Sequence, residues 1–252
     1  FGTLVIGRDV TEYQLALQNR GEFIAQVAHE LKNPLNVLSM YSEALLGEDG
    51  NSTDFRIEAS NIIYNEVDRL NQLISNLLNI SKIEGSSMQV ERHRVRLQDL
   101  LKDTFETISA SNRNNEIKLN IIIPSEMSAL HIDKDLLRIA VTNLLTNAIK
   151  YNQDGGEVTL TAEETEASVI ISVEDTGIGI SEEDQQLIFN KFYRSSSDEV
   201  RQKSGHGLGL SLVKEIVGLM HGKIELQSSL GIGSKFSIYF DKSTGLIQQV
   251  IK

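Results

Sequence analysis

Residues 23–39 read FIAQVAHELKNPLNVLS, a stretch whose apolar spacing predicts a long amphipathic helix. Ile24 and Leu31 lie on the apolar seam of that helix. At roughly 100° per residue, His29 points about 160° away from this seam. Asn33 follows one turn later and shares the exposed face with His29. The helix is therefore expected to present a histidine and an amide to its surroundings.

Pro34 and Glu30 separate this face from an ordinary solvated surface. A proline inside a helix costs roughly 3 kcal/mol, and a face that only meets water does not require one. No second histidine stands four residues after His29, so the zinc-protease spacing is absent. A neutral imidazole can instead attack phosphorus while a neighbouring carboxylate holds the ring and takes up its charge. That chemistry requires a phosphoryl donor bound elsewhere on the chain.

Apolar residues repeat every seven positions on both sides of a turn at Gly47–Asp54. The pattern predicts two long helices that form an antiparallel hairpin. One hairpin cannot cover both of its apolar seams, so two copies are expected to form a four-helix bundle, which makes the chain a homodimer. The alternative is a hairpin whose seams pack against the chain's own second domain. The seam residues are Leu17, Ile24, Leu31, Leu38 and Leu45 in the first helix and Ile63, Leu70 and Leu77 in the second.

The pattern changes after residue 88, where strands and helices follow one another in groups. This grouping predicts an α+β fold, in which one sheet carries helices on one face. The predicted helices are Leu97–Ser109, Asp133–Ile149, Ser181–Phe189 and Leu208–Met220. The predicted strands are Ile117–Ile123, Val158–Ala162, Ser168–Glu174, Ile224–Ser228 and Lys235–Phe240.

Breaks in these patterns divide the chain into domains. Residues 11–84 are assigned to the helical hairpin, residues 85–88 to a linker and residues 89–241 to the second domain. Residues 1–10 contain an apolar strand without a nearby partner, and residues 242–252 extend past the expected end of the second domain. The abrupt start favours a fragment of a longer protein.

The composition disfavours several classes of function. The chain has 252 residues and a net charge of −11, which argues against nucleic acid as a partner because phosphate binding needs clustered cations. It contains no cysteine, so it has neither a disulfide framework nor a thiolate metal site. No apolar run approaches the roughly 18 residues of a membrane-spanning helix, so no membrane segment is expected in this chain.

A polar helical stripe predicts part of a nucleotide site, although the chain lacks the G-x-x-x-x-G-K-[ST] phosphate loop. Within TNLLTNAIKYN, residues 142–152, Asn143, Asn147 and Lys150 fall within about 40° of each other on one stripe. The apolar residues occupy a separate stripe, so these three side chains face something other than the core. Amide oxygens suit Mg²⁺, a hard ion that prefers oxygen ligands, and a lysine suits phosphate.

A second part of the predicted site follows a strand. In VEDTGIGIS, residues 173–181, the strand delivers Asp175 into a tight turn. Gly177 and Gly179 in that turn let the backbone approach a ligand closely. A turn of this composition is common, so it indicates a binding site only in combination with the other segments.

The third part is SGHGLGLSLV, residues 204–213, in which Gly205, Gly207 and Gly209 lead into a helix. A glycine-rich loop at the N-terminus of a helix is suited to bind an anion, because free backbone amides and the helix dipole point at it. Each segment alone is a weak signal. All three in this order, each at the boundary of an element, favour a site for a nucleoside triphosphate.

Together these motifs resemble those of bacterial sensor histidine kinases. HELKNPL, residues 29–35, resembles the phospho-acceptor box of that family. The resemblance covers residues 20–240 and implies a dimerisation bundle joined to a Bergerat-type ATP-binding domain. GTLVIGRDVTE, residues 2–12, resembles the end of a PAS sensor domain. The other boxes of the family are matched by NLLTNAIKY (143–151), DTGIGI (175–180), FNKFYR (189–194), GHGLGLSLV (205–213) and GIGSKF (231–236).

The resemblance implies roles for the histidine face. His29 would be the phospho-acceptor and Glu30 the base that orients it. His29 would then pass its phosphoryl group to an aspartate of a response regulator. Asn33 would serve the dephosphorylation of that regulator. Arg194, at the end of FNKFYR, would neutralise charge in the transition state.

The resemblance also implies that the second domain binds Mg-ATP. Asn147 would coordinate Mg²⁺, with Asn143 beside it. Lys150 would contact phosphate, and Asp175 would accept a hydrogen bond from the adenine amine. Residues 195–204 are polar and would form a mobile lid over the nucleotide. The remaining nucleotide-binding residues would be Tyr151, Gly177, Gly179, Ile180, Phe192, Gly205, Gly207, Leu208 and Gly209.

Two other functions stay open beside the kinase. One is a dimeric, nucleotide-binding signalling scaffold without kinase activity, against which the complete set of motifs argues. The other is an ATPase of the gyrase, HSP90 or mismatch-repair type, which would lack the box around His29. A kinase of this family would work in the cytoplasm, whether or not its full-length form is anchored in a membrane. His206 departs from the family, which usually has threonine there, so a hydroxyl contact at that place is in doubt.

Overall fold

The computed structural model describes residues 11–47, 51–85, 89–112 and 116–242, with side chains from residue 21 onward. The predicted strand before residue 11, most of the predicted linker and most of the predicted tail therefore lie outside the described residues. The chain forms two compact units that divide between Ile74 and Ser75. Within the described residues, no helix is both long enough and apolar enough to cross a membrane.

Two long helices, α1 (Thr11–Leu46) and α2 (Thr53–Glu84), form where the heptads predict them. The Ser52 hydroxyl accepts a hydrogen bond of 3.3 Å from the backbone N–H of Phe55, which caps the start of α2. The Phe55 ring stacks on Tyr41 of α1, with their centroids 6.4 Å apart. The two helices therefore meet beside the turn that joins them.

Pro34 lies inside α1, and the helix continues through it without a break. Its side chain is buried, as are Ala59 and Leu73 of α2. Much apolar surface of the two helices nevertheless stays exposed within a single chain. The exposed large apolar residues of these helices in the first unit include Ile24, Leu35, Met40, Ile57, Val67 and Ile74.

The second unit combines short and long helices with strands. Its helices are α3 (Leu97–Ser111), α4 (Lys134–Lys150), α5 (Glu182–Gln185), α6 (Asp198–Gln202) and α7 (Gly209–Leu219). Its strands are β1 (His93–Val95), β2 (Lys118–Ile122), β3 (Leu130–Ile132), β4 (Glu157–Glu164), β5 (Ser168–Asp175), β6 (Lys223–Ser229) and β7 (Gly233–Asp241). The end of α2 also belongs to this unit.

A five-stranded mixed sheet has the order β2-β4-β5-β7-β6, and only the β2–β4 pair is parallel. Asp175, the last residue of β5, pairs with Val158 of β4 on one side and with Ser234 of β7 on the other. The register thus places Asp175 at one end of the three central strands. A separate antiparallel pair is formed by β1 and β3.

The core of the second unit lies where α3, α4 and α7 pack on one another and on the sheet. Asp133 caps α4, because its carboxylate accepts from the backbone N–H groups of Asp135 and Leu136 at 3.0 and 3.1 Å. The predicted α+β class is confirmed. Fully buried core side chains include Leu137, Leu144, Leu160, Ile171, Leu212 and Ile216.

The structure differs from the sequence prediction in four short elements. The helix predicted at Ser181–Phe189 ends at Gln185, because the chain continues in i→i+3 turns such as Asn190 N–H to Leu187 O at 2.8 Å. Strands β1 and β3 have three residues each, too few to produce an alternation of apolar and polar side chains. Helix α6 lies within the predicted lid and has no apolar face that could have signalled it.

Candidate functional site

The histidine face of α1 carries the side chains that the helical spacing places together. His29 and Asn33 are both exposed, and Asn33 Nδ2 lies 3.4 Å from Nδ1 of the His29 ring. The contact is long for a hydrogen bond, so it orients the ring weakly. The imidazole is exposed, so a reactant can reach it from solvent.

Glu30, next to this histidine, is turned toward α2. Its carboxylate lies 4.0 Å from the guanidinium of Arg69, which also lies 3.7 Å from the carboxylate of Glu66. The sequence patterns did not identify Arg69. The available signal was an arginine immediately before the seam residue Leu70, a position where a cation needs a partner on the facing helix.

The polar stripe of α4 faces the start of α7. Asn143 donates from Nδ2 to the carbonyl of Ile139 at 2.8 Å, which leaves its Oδ1 for other partners. A Cβ atom on Gly209, the first residue of α7, would lie 2.9 Å from Asn143 Oδ1 and 3.8 Å from Asn147 Nδ2. The two amides and the N-terminus of α7 therefore border one space, and a side chain at Gly209 would intrude on it.

Lys150 and Tyr151 end α4 beside the glycine-rich loop. Lys150 Nζ lies 4.7 Å from the centroid of the Tyr151 ring. A Cβ atom on Gly205 would lie 2.4 Å from Lys150 Nζ and 3.7 Å from the Tyr151 hydroxyl. Burial raises the pKa of Tyr151 above its usual value, and the nearby Arg194 charge opposes that shift. The lysine thus points at the loop that is expected to hold phosphate.

Asp175 lies at the end of β5, in the turn that connects the sheet to α5. Its Oδ1 accepts a hydrogen bond of 2.8 Å from the backbone N–H of Gly177. Burial raises the pKa of Asp175 to about 6, although hydrogen bonds from the backbone amides of Gly177 and Ser234 act in the opposite direction. A partly buried carboxylate with acceptor capacity to spare is suited to read a polar group of a ligand.

The turn after Asp175 is held in place by the C-terminus of α4 and by the end of β6. The backbone N–H of Ile178 donates to the carbonyl of Tyr151 at 3.1 Å, and that of Ile180 donates to the Ser228 hydroxyl at 2.9 Å. Gly179 has a φ of +67°, and a Cβ atom there would lie 2.0 Å from the carbonyl oxygen of Ser229. Only glycine fits this position without displacing the β6–β7 turn.

The segment FNKFYR is joined to the glycine-rich loop through its backbone. Phe192 has a φ of +62°, and its N–H donates to the carbonyl of Gly207 at 2.8 Å. Gly207 has a φ of +68°, and a Cβ atom there would lie 2.5 Å from the carbonyl carbon of Phe192. The predicted nucleotide residue Phe192 therefore shapes the loop through its backbone.

Arg194 binds the backbone of the predicted lid. Its guanidinium donates to the carbonyls of Gly205 at 2.9 Å and of Val200 and Lys203 at 2.6 Å each. In this arrangement the charge that was expected to act in the transition state holds the middle and the C-terminal end of α6 and the loop that follows it. A catalytic role would require the guanidinium to exchange at least one of these carbonyls for phosphate.

Asp184 fixes the other end of the lid and was not identified from the sequence. It accepts a hydrogen bond of 2.6 Å from the Tyr193 hydroxyl. Hydrogen bonds from the side chains of Ser195, Tyr193 and Ser181 lower the pKa of Asp184, in that order of importance. Asp184 lies in α5, where three consecutive acidic residues gave no indication of which one faces inward.

Leu208 and the unusual histidine, His206, are more enclosed than their neighbours, whereas the predicted ligand residue Ile180 is not. Leu208 is 1% exposed and belongs to the core, so only its backbone can face a ligand. Ile180 is half-buried. His206 is 8% exposed and lies in the loop between Gly205 and Gly207. His29, Glu30 and Asn33 belong to the first unit, and the predicted nucleotide residues all belong to the second.

Two protein families match successive parts of the chain. Residues 19–86 match the His Kinase A phospho-acceptor domain. Residues 132–244 match the histidine kinase-, DNA gyrase B- and HSP90-like ATPase family. The two matches coincide with the hairpin and with the part of the second unit that contains the glycine-rich segments.

Relatives with curated names match over almost the whole chain. The sensor histidine kinase WalK of Bacillus subtilis is 33% identical over 238 residues, which is 92% of this chain and 38% of WalK. The chain thus spans less than half the length of that relative. Among solved structures, histidine kinase ThkA in complex with the response regulator protein TrrA gives a TM-score of 0.71 at 24% identity, covering 92% of this chain and 65% of ThkA.

A further solved structure, full-length ShkA in complex with AMPPNP, gives a TM-score of 0.64 at 25% identity and covers 86% of this chain and 45% of ShkA. The solved structures share the fold, and the two family matches fall in the same order as the histidine face and the nucleotide-type site. The chain therefore belongs to the sensor histidine kinases and comprises their phospho-acceptor and ATPase domains.

Proposed function

We propose that this chain uses Mg-ATP to phosphorylate His29 and then transfers the phosphoryl group to an aspartate of a response regulator. One observation carries the proposal: an outward-facing histidine and a glycine-lined site with two amides and a lysine occur in the two domains of one kinase chain. ShkA binds AMPPNP and ThkA binds TrrA, which supports the same two partners here.

The residues of the second unit divide the recognition of ATP among them. Asp175 accepts a hydrogen bond from the exocyclic amine of adenine, and the backbone carbonyl of Tyr151 lies close to Gly177 in the same turn. Lys150 pairs with phosphate oxygens next to Gly205. The N-terminal amides of α7, where the N-cap residue Leu208 makes no side-chain cap, donate to phosphate. Each contact uses a group that lies beside a glycine of these segments or at the start of α7.

The amides on α4 fit Mg²⁺. Asn143 Oδ1 lies toward Gly209 because its Nδ2 is engaged by Ile139, and Asn147 lies one turn further along the same stripe. Among the described residues, no three His, Cys, Asp or Glu side chains converge on a metal site, so phosphate oxygens and water would complete the coordination. When bound, the ion would neutralise charge on the phosphates during transfer.

The side chains of His29 and Glu30 on α1 account for the bond that forms and the proton that is released during phosphorylation. A bond forms between an unprotonated ring nitrogen of His29 and the γ-phosphorus, and the bond from that phosphorus to the β–γ bridging oxygen breaks. ADP carries away the electron pair of the broken bond, and Glu30 takes up the proton that the ring gives up. The positive charge of Lys150 favours this step by opposing the negative charge on the leaving phosphate.

The direct test is incubation of the chain with Mg-ATP labelled at the γ-phosphate. We expect protein-bound phosphate that is lost in acid and kept in alkali, because a phosphoramidate has that stability. Absence of label on a folded chain that binds ATP would favour the scaffold function over the kinase. Acid-stable label would indicate phosphorylation of a hydroxyl group and contradict His29 as the acceptor.

We further propose that the hairpin forms a homodimer through its apolar seams. The exposed apolar residues on α1 and α2 supply the surface that a second hairpin would cover. Leu31→Asp places a charge in the seam, so we expect dimer affinity to fall at least about tenfold. Analytical ultracentrifugation measures the change, with exposed Gln26→Asp on the same helix as the control. Equal association of the two variants would mean that the seam is wrongly assigned.

Asn33 is proposed to serve the removal of phosphate from the regulator. Asn33→Ala should leave autophosphorylation within about an order of magnitude, a barrier change under roughly 1.4 kcal/mol. Loss of label from purified phospho-regulator, measured with ADP present, should slow at least about tenfold more than autophosphorylation does. Exposed Asn36→Ala on the same helix is the matched control. Equal losses of both activities would show that Asn33 supports the whole face.

A further inference from the structure

We infer that Arg69 of α2 is a positioning residue for the histidine reaction and acts through Glu30. This inference rests on the proposed function, because it assigns a role within autophosphorylation of His29. No motif of the phospho-acceptor box contains Arg69, which comes from the opposite helix. The two helices thus contribute jointly to the groups around the acceptor.

The geometry connects three charged side chains across the hairpin. The guanidinium of Arg69 lies 4.0 Å from the carboxylate of Glu30 and 3.7 Å from that of Glu66, one turn earlier on α2. Their side chains are only 25%, 17% and 19% exposed, respectively. Arg69 Nε and Glu66 Oε2 are shielded from solvent. The cation is therefore held between two carboxylates in a partly enclosed place.

Partial enclosure from solvent strengthens the attraction between these three charged side chains. At about 4 Å, two opposite charges attract several times more strongly near a protein surface than in bulk water. Glu66 holds Arg69 from its own helix, so Arg69 can fix the Glu30 side chain without reorganising. A carboxylate in a fixed position beside the reacting histidine accepts its proton with less loss of freedom than a mobile one.

Asn33 supplies a second contact to the groups around the acceptor. Its Nδ2 lies near Nδ1 of His29, while Glu30 is drawn toward α2. The imidazole is thus contacted by an amide from its own helix, and the carboxylate of the next residue along the chain is paired with the second helix. Displacement of α2 relative to α1 would move the Glu30 carboxylate without moving the His29 side chain.

The test is a double-mutant cycle of Arg69→Met and Glu30→Gln, scored by rates of autophosphorylation. We expect Arg69→Met alone to lower kcat about tenfold and leave KM for ATP within about twofold, because the nucleotide binds the other unit. In the Glu30→Gln background, the same change should cost less than about twofold. Arg69→Lys, which keeps the charge, should recover at least about threefold of the activity lost in Arg69→Met.

Arg56→Met, an exposed arginine near the start of α2, is the matched control and should behave as wild type. Thermal unfolding and sedimentation establish that each variant is folded and dimeric, and Arg69→Lys carries the test if Arg69→Met does not fold. Additive losses in the cycle, or an unchanged kcat in Arg69→Met, would overturn the inference. An unlabelled wild-type chain would instead overturn the proposed function, and the inference with it.

Discussion

His29→Gln is expected to reduce phosphate incorporation from labelled ATP to background, at least about 100-fold below wild type. The glutamine amide keeps a polar group on the exposed face of α1, but its nitrogen is not nucleophilic because its lone pair is delocalised into the carbonyl. Binding of ATP should be unchanged, since the proposed nucleotide residues all belong to the second unit. Calorimetry with a non-hydrolysable analogue measures that binding beside the labelling assay.

His93→Gln and His131→Gln are matched controls for this experiment. Both histidines are exposed and belong to the second unit, so either variant should incorporate label as wild type does. If label persists in His29→Gln and disappears in one of the controls, the phospho-acceptor is the histidine replaced in that control, which belongs to the second unit. Loss of both label and nucleotide binding in His29→Gln would indicate a damaged fold, and circular dichroism would reveal it.

The elements that could be predicted from the sequence are those in which apolar or polar residues repeat regularly over several helical turns. The seven-residue repeat around Leu31 and Leu70 extends over many turns, so both helices of the hairpin could be predicted from it. The stripe of Asn143, Asn147 and Lys150 could also be placed, because a helix of known phase fixes which side chains share a face.

Contacts that join distant parts of the chain could not be predicted in this way. Arg69 meets Glu30 only because two helices come together, and neither helix specifies the angular position of the other. The hydrogen bonds of Arg194 to carbonyls of Val200 and Lys203 depend on a loop without any periodicity. The hydrogen bond that Asp184 accepts from the Tyr193 hydroxyl likewise depends on the path of the loop between them.

Asp175→Asn is expected to weaken ATP binding by about 10- to 100-fold. A hydrogen bond to a charged group contributes roughly 1.5–3 kcal/mol, and the amide can turn a donor toward the adenine amine, which is itself a donor. Isothermal titration calorimetry at pH 7.5 measures the loss. Glu174→Gln, an exposed neighbour on the same strand, is the matched control and should bind as wild type. An unchanged Kd in Asp175→Asn would exclude this carboxylate from the adenine contact.

The pKa of Asp175 adds a dependence on pH that separates recognition from folding. Because burial raises this pKa from 3.8 to about 6, the carboxylate is ionised at pH 7.5 and takes up a proton as the pH falls through 6. ATP affinity should therefore decline between about pH 7 and pH 5 in wild type. The nucleotide titrates equally in both proteins, so Asp175→Asn should lack only the part of this decline that the carboxylate causes.

The contribution of the same group to stability has the opposite sign. Between about pH 4 and pH 6, the folded chain holds a proton on Asp175 that the unfolded chain releases, so this group makes unfolding less favourable as the pH falls. A weaker affinity for ATP at pH 5.5 can then not be ascribed to unfolding through Asp175. Parallel titrations of wild type and Asp175→Asn test this reasoning, and identical pH profiles of the two would contradict it.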